Sequence, residues 1–355
     1  MSGAPRPPGP GTSGPAAPEA DVSVLIPAWK AAQVIPRAIT SALAQEGVSV
    51  EVIVADDASP DDTAEVVTAR AARDPRLRLV RAARNLAAAA ARSRWLAVLD
   101  ADDAFAPGRL ARLVGVAEAG GFDAVADLPR LWDRTADAPA PAQFPADGRT
   151  EALSLTALLE SAVDGPPPVP GVPRLDLGLL KPVIARRLVS GGLWRYRDGV
   201  RHGEDFLVLF DALAAGTRFG LLHEAHYLFS TRIGALSGAW SEASVTDVDY
   251  RGVAADTRRL IDRIARDRPD LPGLTPEAAG VLLEGRISRL RKLNRQYGWN
   301  TLWSRAWRRH LAWLRRDPRN VGLIADEALR RLRRGRWLTR RLAPDPAGAQ
   351  REDGK

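Results

Sequence analysis

Residues 50–59 read Val-Glu-Val-Ile-Val-Ala-Asp-Asp-Ala-Ser, and residues 95–103 read Trp-Leu-Ala-Val-Leu-Asp-Ala-Asp-Asp. In each stretch, an apolar run typical of a buried strand ends in a cluster of aspartates. Because the carboxyl ends of parallel strands border the ligand crevice of an open α/β sheet, we expect both clusters at one site. An Asp-x-Asp pair offers the hard oxygen ligands that suit Mg²⁺ or Mn²⁺, which fill their other positions with water and phosphate oxygens. The two stretches therefore predict a metal-assisted nucleotide site.

Strand and helix patterns alternate through the first third of the chain. The predicted strands are 22–26, which Pro27 should stop, 50–55, 77–80 and 95–99. The predicted helices are 35–44, 62–73, 86–92 and 107–119. This β-α-β order implies a parallel sheet. No Gly-x-Gly-x-x-Gly follows the first strand and no Gly-x-x-x-x-Gly-Lys is present, which argues against the dehydrogenase and P-loop classes.

The composition allows a catalytic body plus an extension. The chain has 355 residues, of which 45% are hydrophobic, as is usual for a folded protein. It contains no cysteine, so disulfides and thiolate metal sites are excluded, which fits a reducing compartment. The net charge of +8 is uneven: residues 286–341 hold 18 Lys and Arg against 3 acidic residues, so the rest of the chain is net negative. A localised basic region predicts a localised anionic partner.

The terminal segments and the lengths of the apolar runs indicate where in the cell the protein is expected. Residues 1–20 are rich in Pro, Gly and Ala and lack the apolar core of a signal peptide, so a disordered leader is predicted there, with a disordered tail at 343–355. No apolar run approaches the roughly eighteen residues that span a bilayer. We expect a cytoplasmic protein, soluble or peripheral at the inner face of the membrane, with its body at 21–240 and a helical basic extension at 241–342.

Five motifs, in order, resemble those of one family. Val22-Ser-Val-Leu-Ile-Pro-Ala-Trp29, the stretch 51–59 with Asp62-Thr63, and the stretch 95–103 are similar to the signature of family-two glycosyltransferases. Gly203-Glu-Asp-Phe-Leu-Val-Leu209 and Tyr227-Leu-Phe-Ser-Thr-Arg-Ile-Gly-Ala-Leu-Ser237 resemble the two motifs that follow in that family. The resemblance covers residues 21–240.

The segment between the third and fourth motifs narrows the resemblance. Leu177-Gly-Leu-Leu-Lys-Pro182, followed by Trp194-Arg-Tyr-Arg197, is most similar to bacterial exopolysaccharide transferases of the succinoglycan type. The resemblance implies the α/β GT-A fold of nucleotide-diphospho-sugar transferases, a Rossmann-like mixed sheet flanked by helices, here with a helical C-terminal extension. It also implies a metal-dependent, inverting hexosyltransferase of surface or exopolysaccharide synthesis. The donor would be a nucleotide-diphosphate sugar, and the acceptor a saccharide or a lipid-linked saccharide.

The resemblance also assigns roles to single residues. Asp205 would be the general base that deprotonates the acceptor hydroxyl, and Asp102 would coordinate the Mg²⁺ or Mn²⁺ that bridges the diphosphate. This division is chemically sensible, because the cation stabilises the leaving group while a carboxylate accepts the proton. The residues implied in nucleotide-sugar binding are Pro27, Ala28, Trp29, Asp57, Asp100, Glu204 and Arg232.

Each acidic cluster also has a structural interpretation. The aspartates at 56–57 and 61–62 fit turn and helix N-cap positions. Those at 100–103 could cap the helix predicted to begin at Pro107, although three acids in four residues repel one another unless a cation or hydrogen-bond donors offset them. Residues 204–205 could form the solvated first turn of a helix, favoured by its dipole.

Two departures from the family pattern keep a second function open. Lys30 stands where the family usually has asparagine, and the loop between Val80 and Asn85 is shorter than usual. A degenerate member that binds nucleotide sugar or a partner protein without catalysis is therefore the alternative to an enzyme.

The basic extension carries an aromatic stripe. Trp299, Trp303, Trp307 and Leu311 recur every fourth residue, as on one face of a helix, and arginines surround them. Two interpretations are open: helices packed on the body with their arginines in solvent, or docking to an anionic membrane surface through 286–341. No recognised nucleic-acid-binding module accompanies the charge, so no nucleic-acid partner is expected.

Overall fold

A computed structural model describes residues 20–81, 88–133, 136–165, 175–198, 200, 202–231, 249–302 and 307–333. Its central element is one mixed β-sheet. The strands within the described residues are β1 Val22–Ala28, β2 Val50–Asp56, β3 Leu77–Val80, β4 Trp95–Val98, β5 Ala104–Phe105, β6 Ala124–Asp133, β7 Ala138–Pro139, β8 Thr150–Ala152, β9 Val183–Ala185 and β10 Phe219–Thr231.

Helices flank this sheet and continue beyond it. Those described are α1 Ile35–Leu43, α2 Thr63–Ala71, α3 Arg109–Gly120, α4 Leu155–Ser161, α5 Arg186–Ser190, α6 Glu204–Ala214, α7 Tyr250–Asp267, α8 Pro276–Leu302, α9 Trp307–Arg316 and α10 Asn320–Arg333. A single 3₁₀ turn covers Leu177–Leu179. Of the predicted helix at 86–92, residues 86 and 87 lie outside the described residues, 88 and 89 are helical, and 90–92 are not.

The strand order explains where the acidic clusters meet. The sheet runs β3-β2-β1-β4-β9-β6-β10-β5. The first four strands in that order are mutually parallel, as the sequence predicts, whereas β9 is antiparallel to both of its neighbours. Because β1 lies between β2 and β4, the chain segments that leave these three strands emerge side by side at one edge.

The two faces of the sheet have different apolar covers. Val24 and Val52 pack on one face with α1 and α3, while Leu25 and Ile53 pack on the other with α4 and α6. This alternation is the period of two expected of a strand buried on both sides. The second cover includes apolar side chains of α7 and α8, such as Leu260 of α7, so these helices share a hydrophobic core with the body. The predicted boundary at residue 240, the leader and the tail lie outside the described residues.

The prediction that Pro27 stops the first strand is wrong. β1 continues through Pro27 to Ala28, which pairs with Asp56 of β2. Leu25 accepts a hydrogen bond from the Leu99 amide, so the backbone of Pro27, two residues on, also points toward β4. Since β4 ends at Val98, the missing N–H of proline interrupts no ladder bond at that point.

Candidate active site

The loops after β1 and β2, residues 29–34 and 57–62, are joined by hydrogen bonds and form what we term the β1–β2 wall. The Asp57 amide donates to the Ala28 carbonyl over 3.1 Å, and the Lys30 amide donates to Ser59 Oγ over 3.1 Å. Most of these links use a backbone amide as the donor. The wall is therefore a stiff support for the side chains that project from it.

The four aspartates of this wall divide into structural and exposed ones. Asp56 is buried and accepts from the Ser59 amide, and Asp61 accepts from the hydroxyl and amide of Thr63, so both hold turns. Asp62 occupies the N-cap position of α2, as the structural interpretation expects, although its side chain makes no capping hydrogen bond. Asp57 is exposed and borders an open cavity of about 590 Å³ that Arg81 also lines.

The predicted base-binding residues of the first motif sit on this wall. Pro27 and Ala28 are strand residues of β1, half-buried and buried. Trp29 is 55% exposed, and the Lys30 ammonium lies 4.4 Å from the centre of its ring. Lys30 has a φ of +52°, a left-handed conformation that asparagine tolerates better than lysine.

The turn after β4 is built around a buried carboxyl. Asp103 accepts hydrogen bonds from the Tyr227 hydroxyl over 2.7 Å and from the Ser230 amide over 2.8 Å. Burial, followed by the negative charges of Asp100 and Asp102, raises the pKa of Asp103 well above its ordinary value. The repulsion expected within this cluster is thus offset in part by donors, and the helix-capping interpretation is wrong, because α3 begins after Gly108 with no side-chain cap.

Asp102 is the exposed carboxylate of the same turn. Among the described residues, no group of three or more His, Cys, Asp or Glu side chains is close enough to hold a metal ion. A Mg²⁺ site that uses one protein carboxylate and takes its other ligands from water and phosphate fits this donor set. Asp102 is therefore suited to hold a divalent cation that a diphosphate helps to bind.

Lys181 joins the β4 turn to the start of α6. Its ammonium lies 2.8 Å from a carboxylate oxygen of Asp100 and 2.7 Å from one of Asp205, and its side chain is only 7% exposed. Burial acts to lower the pKa of Lys181, but the negative charges of Asp100 and Asp205 outweigh it and hold this pKa well above the ordinary value. We term these three residues the lysine bridge. The sequence did not predict Lys181 as a site residue; its signal is a lone charge in the apolar run Leu179-Leu-Lys-Pro-Val183.

A buried ion pair fixes the backbone of Lys181. Arg109 donates to Asp127 through Nε and a terminal nitrogen, at 2.7 to 3.2 Å, and both side chains are fully buried. The same terminal nitrogen of Arg109 donates to the Lys181 carbonyl over 2.5 Å. Asp127 also accepts from the His226 amide, so the pair connects α3, β6, β10 and the segment before β9.

The start of α6 is held from behind by α8. Gly203, at the N-cap, has a φ of +73°, and a Cβ there would meet Val253 of α7 at 2.9 Å. The guanidinium of Arg286 stacks 3.5 Å from the ring centre of Phe206, and burial lowers the pKa of Arg286 to about 10. Residues 204–205 form the first turn of α6, as the structural interpretation expects, but Asp205 is only 15% exposed and pairs with Lys181, so it is not solvated.

The aromatic stripe of the extension is partly internal. Trp299 is 9% exposed and packs against Arg331, whose guanidinium lies 4.9 Å from its ring centre. Leu311 is 38% exposed. Outside the described residues lie Trp303, the side chain of Trp307, Arg232 and residues 82–85 of the shortened loop between Val80 and Asn85. The packing interpretation therefore holds for Trp299, whereas Leu311 is partly exposed.

The chain is similar to known glycosyltransferase sequences. Residues 23–146 match the family described as Glycosyl transferase family 2. Succinoglycan biosynthesis protein ExoO of Rhizobium meliloti (strain 1021) is 37% identical over 230 residues, which cover 61% of this chain and 62% of that protein. Succinoglycan biosynthesis protein ExoU of the same organism is 39% identical over 237 residues, which cover 63% and 66%. The match spans less than two thirds of the length of either relative.

Solved structures support the fold. S. aureus TarS 1–349 in complex with UDP-GlcNAc superposes with a TM-score of 0.56 at 16% identity, covering 83% of this chain and 79% of that one. A second structure of S. aureus TarS 1–349 gives a TM-score of 0.54 at 15% identity. The GT-A fold implied by the sequence resemblance is thereby confirmed. Within the described part of the chain, no helix has the length and apolar character to cross a bilayer.

Proposed function

We propose that this chain, which carries a family 2 glycosyltransferase domain, transfers a sugar from a nucleotide-diphosphate donor to a saccharide or lipid-linked saccharide in surface or exopolysaccharide synthesis. The observation that carries the proposal is the lysine bridge. It ties the turn that bears Asp102 to the helix start that bears Asp205. A donor-side carboxylate and an acceptor-side carboxylate thus belong to one site, as group transfer requires.

The donor lies along the edge formed by the β1–β2 wall and the β4 turn. Trp29 offers an exposed ring for the base, and Asp57 offers a carboxylate for a base N–H, with Arg81 across the cavity. Asp102 would hold Mg²⁺ or Mn²⁺, which when bound offsets the negative charge of the diphosphate. Pro27, Ala28 and the backbone after them position these groups, and Arg232 and Glu204 complete the binding set.

Asp205 receives the proton of the reaction. The acceptor hydroxyl oxygen attacks the anomeric carbon as the bond from that carbon to the diphosphate oxygen breaks, and the hydroxyl proton moves to the Asp205 carboxylate. Attack opposite the leaving group inverts the anomeric configuration. The nearly buried carboxylate is held by Lys181 at 2.7 Å, so it needs little reorganisation to meet an acceptor.

A nucleotide-sugar screen tests this proposal against a non-catalytic binding protein of the same fold. The full chain is incubated with nucleotide-diphosphate sugars, with Mg²⁺, with Mn²⁺ and with chelator, and release of nucleoside diphosphate and of sugar is measured. Metal-dependent turnover of at least one donor is expected. Stabilisation by a nucleotide sugar without any turnover, across donors and saccharide acceptors, would favour the non-catalytic alternative.

If the acceptor is lipid-linked, it lies at a membrane. The proposal therefore includes docking of the basic extension to an anionic membrane surface. Support comes from exposed Arg315 and Arg330 alongside exposed Leu311 and Leu329, the mixture of charge and apolar surface that such docking uses. Arg315→Gln with Arg330→Gln should weaken sedimentation with anionic vesicles at low salt. The matched pair Arg259→Gln with Arg266→Gln on α7 should not. Equal sedimentation of both double variants would rule out this surface.

A further inference from the structure

The lysine bridge connects segments that are far apart in the chain and meet only because of the sheet topology. Lys181 lies two residues before the antiparallel strand β9, which inserts next to β4. The strand brings the lysine to the carboxyl end of β4, where Asp100 begins the acidic turn. Asp205 reaches the same ammonium from α6.

We propose that Lys181 is a positioning residue for sugar transfer, which holds the Asp205 carboxylate in place against the Asp100 turn without itself contacting the reacting atoms. The inference rests on the proposed function and adds to it a residue that sets the geometry of the base. Three observations support it: the two ammonium–carboxylate distances, the burial of the lysine and the rigidity of the backbone around it.

The backbone of Lys181 has little freedom to move. Arg109 holds its carbonyl at 2.5 Å, and the Arg109–Asp127 pair behind it is fully buried. Leu180 and Val183 on either side are buried in the core. Because its backbone is fixed and its side chain is only 7% exposed, Lys181 holds its ammonium at one position. The ammonium can therefore fix the positions of both carboxylates.

The charge of the ammonium is as important as its position. The oxygens of Asp100 and Asp205 touch the same nitrogen, so they are no farther apart than the sum of two hydrogen-bond lengths. Without the cation, two carboxylates this close in a nearly buried site would repel each other. Asp205, at the start of a helix, would turn away from Asp100, and a base displaced by about 1 Å can cost on the order of a hundredfold in rate.

The test compares two identical substitutions at different lysines in the full chain. Lys181→Met keeps most of the side-chain volume and removes the charge, and Lys292→Met does the same at a lysine that pairs with Asp164 at 3.0 Å but is 46% exposed. Lys181→Met should lower kcat for transfer roughly 10- to 100-fold while KM for the donor changes less than threefold. Lys292→Met should leave both constants within twofold of wild type, and Lys181→Arg should recover part of kcat.

A double variant identifies the group through which Lys181 acts. In an Asp205→Asn protein, Lys181→Met should reduce transfer little further, because the group it positions is already disabled. Independent losses that multiply would overturn the inference, as would wild-type kcat in a folded Lys181→Met protein. If Lys181→Met does not fold, Lys181→Arg in the two backgrounds gives the same comparison.

A second readout separates this inference from the proposed function. If the wild-type protein transfers no sugar from any donor, the proposed function fails, and the bridge is judged by thermal unfolding. Lys181→Met should then lower Tm more in the wild-type background than in Asp205→Asn, since the Lys181–Asp205 ion pair exists only in the former. Equal losses of Tm in both backgrounds would overturn the inference that Lys181 holds Asp205.

Discussion

The β1–β2 wall and the lysine bridge, on adjacent parts of one edge of the sheet, are built in different ways. The wall uses several hydrogen bonds from backbone amides, such as those from Asp57 to Ala28 and from Lys30 to Ser59. The bridge uses three charges, of which the lysine is nearly buried. Loss of one hydrogen bond of the wall leaves the others in place, whereas loss of Lys181 leaves two close carboxylates without their cation.

This difference predicts which parts of the site tolerate amino-acid substitutions. A surface formed by loop backbones can adapt to different bases and sugars with small energetic cost. In the lysine bridge and in the Arg109–Asp127 ion pair, single substitutions should lower transfer or stability strongly. The four predictions below test this contrast, from the largest expected effect to the smallest.

Asp205→Asn should give the largest effect, because it removes proton acceptance while keeping the size of the side chain. We expect transfer to fall by roughly two to four orders of magnitude with donor binding retained. Glu204→Gln, the neighbouring substitution, should cost less. Initial rates of transfer and calorimetric donor binding give the two quantities. A folded Asp205→Asn protein that transfers within a few-fold of wild type would remove Asp205 as the base.

Arg109→Met should remove the contacts that hold the backbone of Lys181. It leaves the fully buried Asp127 without its cation, and such losses cost about 3–5 kcal/mol of unfolding free energy. The matched control is Arg112→Met, one turn along α3, whose 48% exposed side chain pairs with Glu224 and should be worth about 1 kcal/mol or less. Denaturant unfolding measures both. Similar losses at the two positions would contradict the contrast between buried and exposed pairs.

Asp102→Ala should abolish the metal-dependent part of nucleotide binding without harming the fold. At a nucleoside diphosphate concentration a hundred times Kd, binding stabilises the native state by about 2.7 kcal/mol, and we expect the share that requires Mg²⁺ or Mn²⁺ to vanish in the variant. Thermal unfolding with nucleotide, in metal and in chelator, measures that share. Identical wild-type curves in metal and in chelator would exclude the cation from this site.

Ser59→Ala should give the smallest effect, because it removes one neutral hydrogen bond from the wall. The expected loss is about 1 kcal/mol of unfolding free energy, with transfer little changed. Thermal unfolding and initial rates check the two parts. A loss of transfer as large as that of Lys181→Met would mean that the wall is as sensitive as the bridge.

Much of the fold follows from the sequence, because the apolar runs at β1 to β4 and the helices between them have clear periods. The acidic clusters were found for the same reason, as each ends a strand. The mixed part of the sheet was not located strand by strand, because short strands such as β9 and β5 carry too few residues to show a period.

The centre of the site was harder to predict than its edges. Lys181 is a single charge in an apolar run, and its two partners lie on other elements, so nothing local to it indicates a role. Asp103 belongs to the acidic run after β4, and the run alone does not indicate that this carboxyl is buried against Tyr227. Both depend on contacts more than 20 residues apart in the chain, which a pattern in one stretch cannot reveal.

The central claim is that one edge of the sheet binds the donor along the β1–β2 wall and presents its anomeric carbon to Asp205. A crystal structure with a non-hydrolysable nucleotide-sugar analogue and Mn²⁺ tests it most directly, since anomalous scattering locates the metal independently. The account predicts a manganese peak in coordination contact with Asp102, the base against Trp29 and Asp57, and the sugar on the side of Asp205. A nucleotide bound elsewhere, or a sugar that faces away from Asp205, would contradict it.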